Sequence, residues 1–452
     1  MSVTAPFGFR AAGVAAGLKE SGQPDVAVVL NDGPSRAAAA VFTSNRVQAA
    51  PVTWTRQVVS GGRVRAVVLN SGGANACTGA PGFQDTHATA EHLAKAIDDS
   101  PGEIAVCSTG LIGERLPMDK LLPGVDAAVA AASRAGGLFA ADAIRTTDTV
   151  VKIAFRSVAS GGTIPPRPPL LLGGNLSPQT PSAPQTPSAQ APSAPQASSA
   201  PQASSAQASS APQALSAPQA LSASQASSAY TVGGMAKGAG MIAPALATML
   251  CVLTTDADLA PAVLDAALRS AVAQTFDRLD TDGCMSTNDT VLLLASGATG
   301  VRPDAGEFTV TLTEVCADLA RQLQLDAEGA QKMITIEVIG AASENDAVTV
   351  GRAIARSNLV KCAIGGEDPN WGRILAAVGT TDAVFEPDRL NVAVNGVWVC
   401  RHGAAGDERG KVDLAPKDVT ITVDLSAGPQ SAVILTTDLT AAYVHENSAY
   451  ST

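Results

Sequence analysis

Residues 177–229 of this 452-residue chain consist almost wholly of Ser, Ala, Pro and Gln, in near-repeats such as Ala-Pro-Gln-Ala-Ser-Ser. A tract with no charge and almost no large apolar side chain cannot bury enough surface to offset the entropy lost on ordering. A globular fold must therefore come from the two flanks together, with the tract expected as a disordered surface loop. The proline-rich lead-in at 163–169 belongs to the same insert, which spans about 163–229. Such an insertion is tolerated because closure entropy grows slowly with loop length.

The flanks read as a mixed α/β (α+β) protein. Residues 64–69 and 104–108 are short apolar runs of strand type, each followed by a glycine-rich turn. Over 261–276, Val263, Leu264, Ala267, Leu268, Val272 and Phe276 fall on one helical face. Residues 390–400 alternate around Asn395-Gly396, a hairpin signal. Residues 419–425 and 431–436 are expected to form a second strand pair. Strands precede helices irregularly, which argues against a repeating parallel sheet. The chain is 46% hydrophobic, enough for a large core, and its 41 glycines imply many tight turns.

Several partner classes are set aside by charge and composition. The net charge is -11 and no basic patch is evident, so no nucleic-acid partner is expected. Seven cysteines without a CxxC spacing read as isolated buried thiols in a reducing compartment. The four histidines have no metal-ligand spacing, so no metal is expected. The most apolar uncharged stretch, 239–255, is shorter than the ~20 residues of a membrane span and contains Pro244. The apolar stretch at 11–18 lacks a preceding basic region. The chain is expected to be soluble and cytoplasmic, without a membrane partner.

The segment richest in chemistry is Gly233-Gly-Met-Ala-Lys-Gly-Ala-Gly-Met-Ile-Ala-Pro-Ala-Leu-Ala-Thr-Met-Leu250. A hydroxyl needs an adjacent base to act as a nucleophile. An N-terminal threonine carries that base itself, since an α-amine with a pKa near ~8 is partly neutral at physiological pH. Thr248 lies inside the chain, so this chemistry requires cleavage of the Ala247-Thr248 bond. The small residues before Thr248 would let its hydroxyl reach the preceding carbonyl for an N-to-O acyl shift. The same segment also reads as a glycine-rich loop entering a buried strand, with Thr248 at the edge of the core.

Beyond this segment, several long motifs follow one another in a specific order. They are Gly8-Phe-Arg-Ala-Ala-Gly-Val-Ala-Ala-Gly17, residues 70–79, Ser108-Thr-Gly-Leu-Ile-Gly-Glu-Arg-Leu-Pro-Met-Asp119, Ser286-Thr-Asn-Asp-Thr290, Gly366-Glu-Asp-Pro-Asn-Trp-Gly-Arg373 and Tyr443-Val-His-Glu-Asn-Ser-Ala-Tyr-Ser-Thr452. Together they resemble the ornithine acetyltransferase family, the bifunctional glutamate N-acetyltransferases of arginine biosynthesis, across nearly the whole chain outside the insert.

The resemblance implies a self-processing N-terminal-threonine acyltransferase fold with mixed sheets and flanking helices. Cleavage at Ala247-Thr248 would give an α chain, 1–247, and a β chain, 248–452, assembled as a heterotetramer of two of each. The implied reaction moves an acetyl group from N2-acetylornithine to glutamate through an acetyl-Thr248 intermediate. No cofactor is implied, although some members also accept acetyl-CoA as a co-substrate. Thr248 would be the nucleophile, with Thr109 and Gly110 as the oxyanion-hole pair. Substrate contacts would come from Thr147, Lys237, Thr248, Glu328, Asn447 and Thr452, with Thr149 a competitor of Thr147 by register. Lys237 would suit a substrate carboxylate, and Glu328 the side-chain ammonium of ornithine. Assigning Asn447 and Thr452 to the site requires the tail to fold back over it.

Without the resemblance, Ser108-Thr-Gly reads as a strand-terminating turn. Residues 366–373 and the Asn288-Asp289 pair read as structural braces. Three features depart from the family pattern: the insert, Ala74 in place of a commoner Asn, and Cys284 where an acidic residue is commoner. Two other readings remain. One is a self-processing amidase or aminopeptidase with an N-terminal nucleophile, in which water takes the acyl group. The other is an unprocessed, non-catalytic binding protein.

Overall fold

A computed structural model describes residues 2–159, 229–243 and 249–449. The Ala247-Thr248 bond, Thr452 and the expected insert lie outside the described residues, apart from Ala229, which opens a strand.

Three sheets form among the described residues. The first has the order β1 (Phe9–Val14), β2 (Val26–Asn31), β4 (Ala66–Gly73), β5 (Ile104–Leu111), with β4 and β5 parallel. The second runs β3 (Ala38–Phe42), β9 (Thr290–Ala295), β8 (Leu250–Thr255), β7 (Ala229–Lys237), β6 (Lys152–Ala159), with β8 and β9 parallel. The third runs β13 (Ala404–Ala405), β12 (Val397–Arg401), β11 (Asn391–Val394), β14 (Asp418–Asp424), β10 (Met333–Ala341), β15 (Gln430–Thr437). The expected mixed α/β class is therefore what the chain adopts.

The central strands of the second sheet, β8 and β9, are buried on both faces, and the period-2 alternation of strand side chains divides the sheet's buried residues between two cores. Met235, Leu250, Val252, Leu292 and Leu294 join the core of the first sheet. Val232, Cys251, Leu253, Val291 and Leu293 pack instead with helices α5 (Pro261–Gln274) and α6 (Ala305–Leu325). Helices α1 (Ala50–Ser60), α2 (Gly79–Ala96), α3 (Met118–Ala131) and α4 (Gly137–Ala143) accompany the first sheet. The third sheet has its own core with α7 (Glu344–Ala355), α8 (Asn358–Gly365) and α9 (Trp371–Val378). The described residues end in α10 (Ala441–Ala449). No helix among the described residues is long and apolar enough to cross a membrane.

The hairpin signal is realised as β11–β12, where Val394 pairs with Val397 and both Asn395 (φ 46°) and Gly396 (φ 80°) are left-handed. That is the geometry a two-residue turn of this kind requires. The helix over 261–276 forms as α5, continued by a single 3-10 turn at Phe276–Arg278.

Two expectations are corrected. The strands near 419–425 and 431–436 do not pair with each other. β10 lies between them, parallel to β14 and antiparallel to β15. Ile334, Ile336 and Val338 of β10 are wholly buried, and a strand that is apolar and enclosed takes the central place in a sheet. The thiols are also not uniformly buried. All seven are free, but Cys77, Cys284 and Cys362 are exposed.

Candidate active site

Near the end of β5, Ser108-Thr109-Gly110 lies alongside Asn70, Ser71 and Gly72 of β4. Gly110 has φ 129°, and a Cβ there would sit 2.5 Å from the Gly73 nitrogen and 2.6 Å from the Gly72 carbonyl carbon. Only glycine lets the two backbones approach this closely. The strand end is braced from behind. The Asn288 side-chain amide donates to the carbonyls of Ser108 (2.7 Å) and Ala74 (2.6 Å), and the Ser108 hydroxyl donates to Asn70 Oδ1 at 2.6 Å.

β7 delivers Lys237 to the same place. The side chain is 1% exposed, and its Nζ lies 3.2 Å from Thr109 Oγ1, 2.7 Å from Thr146 Oγ1 and 3.9 Å from Asp148 Oδ2. Burial lowers the Lys237 pKa, against the pull of Asp148. Burial acts to raise that of Asp148, but Lys237, Lys152 and the Gly238 N–H outweigh it and hold the carboxyl below its ordinary range. Asp148 accepts from Lys152 Nζ (2.6 Å) and from the Gly238 N–H (2.6 Å). It thereby ties the ion pairs to the start of the glycine-rich segment. Lys152 also reaches Asp326 at 2.5 Å.

The threonines of Arg145-Thr-Thr-Asp-Thr149 face different partners. Thr147 donates to Glu328 Oε1 at 2.7 Å, whereas Thr149 is exposed and bonds Asp326. Glu328 closes on the other side against Gly240, where a Cβ would collide with its carboxylate. Its N–H donates to the Ala239 carbonyl at 3.0 Å. The structure thus brings Thr109, Gly110, Lys237, Thr147 and Glu328 into one connected cluster.

Asn447 is not joined to that cluster among the described residues. It is exposed on α10 and donates to the Tyr443 carbonyl of its own helix at 3.0 Å. The approach to α10 does return to the site: the Thr440 hydroxyl donates to the Gly329 carbonyl at 2.6 Å. Tyr443 packs so closely that a Cβ on Gly329 would lie 2.5 Å from its Cα. Burial pushes the Tyr443 phenol up to about 12, with Asp282, Cys284 and Glu328 adding to the effect.

Residues 244–248 are bounded by anchored neighbours. Upstream, the Thr281 N–H donates to the Ile242 carbonyl at 2.6 Å. Downstream, the Met249 N–H donates to Asp289 Oδ1 at 2.9 Å, and the Thr290 N–H donates to the Met249 carbonyl at 3.1 Å. Asp289 is wholly buried, and burial holds its carboxyl well above the ordinary range. Thr146, Asp148 and Asp289 were not read from the sequence as members of the site. For Asp148 the available signal was an acid flanked by threonines. Among the described residues, no group of His, Cys, Asp or Glu could hold a metal ion.

A hydroxyl and a backbone N–H beside a buried ammonium form the kind of donor set by which acyl-transfer sites stabilise an oxyanion. Comparison with known proteins identifies the family. The ArgJ family model matches residues 10–165 and 193–452, and the chain belongs to that family. Within the insert, 166–192 stands outside the matched residues, a narrower departure than the whole insert. The arginine biosynthesis bifunctional protein ArgJ of Thermobifida fusca is 63% identical over 452 residues, covering 100% of both chains. ArgJ 1 of Streptomyces clavuligerus is 58% identical over 451 residues, again covering 100% of both. A solved structure of ornithine acetyltransferase complexed with ornithine, from Mycobacterium tuberculosis, is 61% identical over 34% of this chain and 83% of its own, with a TM-score of 0.34.

Proposed function

We propose that this chain is an ornithine acetyltransferase of arginine biosynthesis, moving an acetyl group from N2-acetylornithine to glutamate after opening its own Ala247-Thr248 bond. Full-length identity to bifunctional ArgJ proteins supports the reaction class. The observation that carries the mechanism is the contact of Lys237 with Thr109 beside the glycine-rich segment that leads to residue 248.

The chemistry follows from these positions. Once the backbone opens, the Thr248 α-amine takes the proton of its own hydroxyl, which attacks the acetyl carbonyl. Thr109 Oγ and the Gly110 N–H receive the developing oxyanion. Lys237 donates to Thr109 Oγ1, so the Thr109 proton is free to point at that oxyanion. In this role Lys237 is a buried support for the oxyanion hole rather than a grip on a substrate carboxylate. The amine returns its proton to the leaving nitrogen of ornithine, and an acetyl-threonine ester remains. The amine of glutamate then attacks the ester, giving N-acetylglutamate and regenerating the hydroxyl. Glu328, oriented by Thr147, faces the side-chain ammonium of ornithine, and the tail supplies Asn447 and Thr452. The processed pieces, 1–247 and 248–452, assemble as two of each.

Two measurements test this reading. Intact mass and N-terminal sequencing should give a piece beginning Thr-Met-Leu-Cys. The purified protein should deacetylate N2-acetylornithine rapidly only with glutamate present, and a parallel assay with acetyl-CoA reports on the second donor. An uncut chain, or acetyl release to water at the same rate without glutamate, would overturn it.

A further inference from the structure

The loop from Asp280 to Asp289 touches the described residues on either side of 244–248, Ile242 and Met249. At its start, Thr281 binds the Ile242 carbonyl through both its N–H and its hydroxyl, and Asp282 accepts from the backbone around Met241 and Ile242. At its end, Asp289 Oδ1 accepts the N–H of Met249 at 2.9 Å. The Asp289 backbone is itself fixed, since its carbonyl accepts from the Thr43 N–H at 2.9 Å. The preceding residue, Asn288, grips Ser108 and Ala74 behind Thr109. The buried pair Asn288-Asp289 thus links Met249 to the strand end that carries Thr109 and Gly110.

We infer that Asp289 is a positioning residue which, by holding the Met249 N–H, fixes residue 248 against the oxyanion hole both for self-cleavage and for acetyl transfer. The inference rests on the proposed role of Thr248. Both steps attack a carbonyl with the same hydroxyl, and both need their oxyanion at the same donors. A neighbour anchored at the backbone governs both without touching substrate. The bond to Met249 is made through a single carboxyl oxygen, Oδ1. An asparagine presents the same acceptor at the same reach and should substitute, whereas an alanine cannot.

The experiment compares full-length wild type, Thr248→Ala, Asp289→Asn and Asp289→Ala. Processing is followed by intact mass, and turnover is expressed per free threonine terminus. With Asp289→Ala, a misplacement near 1 Å should slow processing and kcat about 100-fold. The KM for N2-acetylornithine should stay within about threefold, because only the transition-state geometry is lost. Asp289→Asn should restore both rates to within about fivefold of wild type, with the acceptor back in place. Wild-type rates in Asp289→Ala would overturn the inference. So would Asp289→Asn falling about 100-fold with its melting temperature unchanged, which would make the acid itself the essential group. If Asp289→Ala fails to fold, Asp289→Asn decides alone by the same criterion. A wild-type chain with no threonine terminus, or a cut Thr248→Ala chain, would remove the underlying reading instead of the role of Asp289.

Discussion

The ammonium of Lys237 lies 3.2 Å from the hydroxyl of Thr109, and the two residues come from different sheets. Lys237 closes β7 in the second sheet, and Thr109 lies near the end of β5 in the first. The contact therefore registers the two sheets at the site. Thr109→Val preserves shape and removes the donor. It should lower kcat by about 100- to 1000-fold, the usual cost of one oxyanion donor, while KM changes little. Steady-state kinetics on processed enzyme checks this.

The buried charges beside Lys237 make a second expectation. Asp148 neutralises both Lys237 and Lys152 where none of the three side chains is more than 1% exposed. Without Asp148, Lys152 would keep Asp326, but Lys237 would lose its ion-pair partner, and breaking a buried pair costs about 3–5 kcal/mol. Asp148→Asn should lower the unfolding free energy by that amount in urea titrations. A change below about 1 kcal/mol would place these charges in a more solvated setting than the structure gives them.

The same carboxyl predicts an acid limb. Its folded pKa lies below the ordinary 3.8, so the unfolded chain binds the proton first as pH falls. The contribution is fully present above 3.8 and is lost as pH drops through the depressed value. Unfolding free energy measured between neutral pH and strong acid should therefore fall below about pH 4, and Asp148→Asn should flatten that part of the curve.

Gly240 offers a test confined to substrate binding. An added methyl would meet the Glu328 carboxylate, with Cδ only 2.7 Å away. That carboxylate is the far end of a flexible side chain, so it can swing aside with little strain. Gly240→Ala should then keep its melting temperature while the KM for N2-acetylornithine rises about tenfold, equivalent to ~1.4 kcal/mol. An unchanged KM would separate Glu328 from the substrate ammonium.

Local chemistry was legible in the sequence wherever a residue type forces a conformation. Asn395-Gly396 had to turn left-handed, and the stripe from Val263 to Val272 had to bury one helical face. Gly110 was visible as a glycine that the site needs. What could not be read were choices made by partners far away in the chain. Three threonines within Arg145-Thr-Thr-Asp-Thr149 share an irregular loop without periodicity. Their roles are set by Lys237, Glu328 and Asp326, contributed by other parts of the fold. Asp289 looked like a brace because nothing local links it to Met249, 40 positions earlier. β14 and β15 looked like neighbours because β10, which separates them, lies far upstream.

The order of the second sheet bears on what a backbone break at 247/248 would do. β8 and β9 belong to the later piece, yet they lie between β3 on one side and β7 and β6 on the other, all from the earlier piece. Every residue of β8 and β9 is buried, and Leu250 through Thr255 stay laddered to Lys237 through Val232. Scission would sever one covalent link and leave this interleaving whole. Pulling the halves apart would strip two enclosed strands of neighbours on both sides, so dilution should not dissociate them and only a denaturant should.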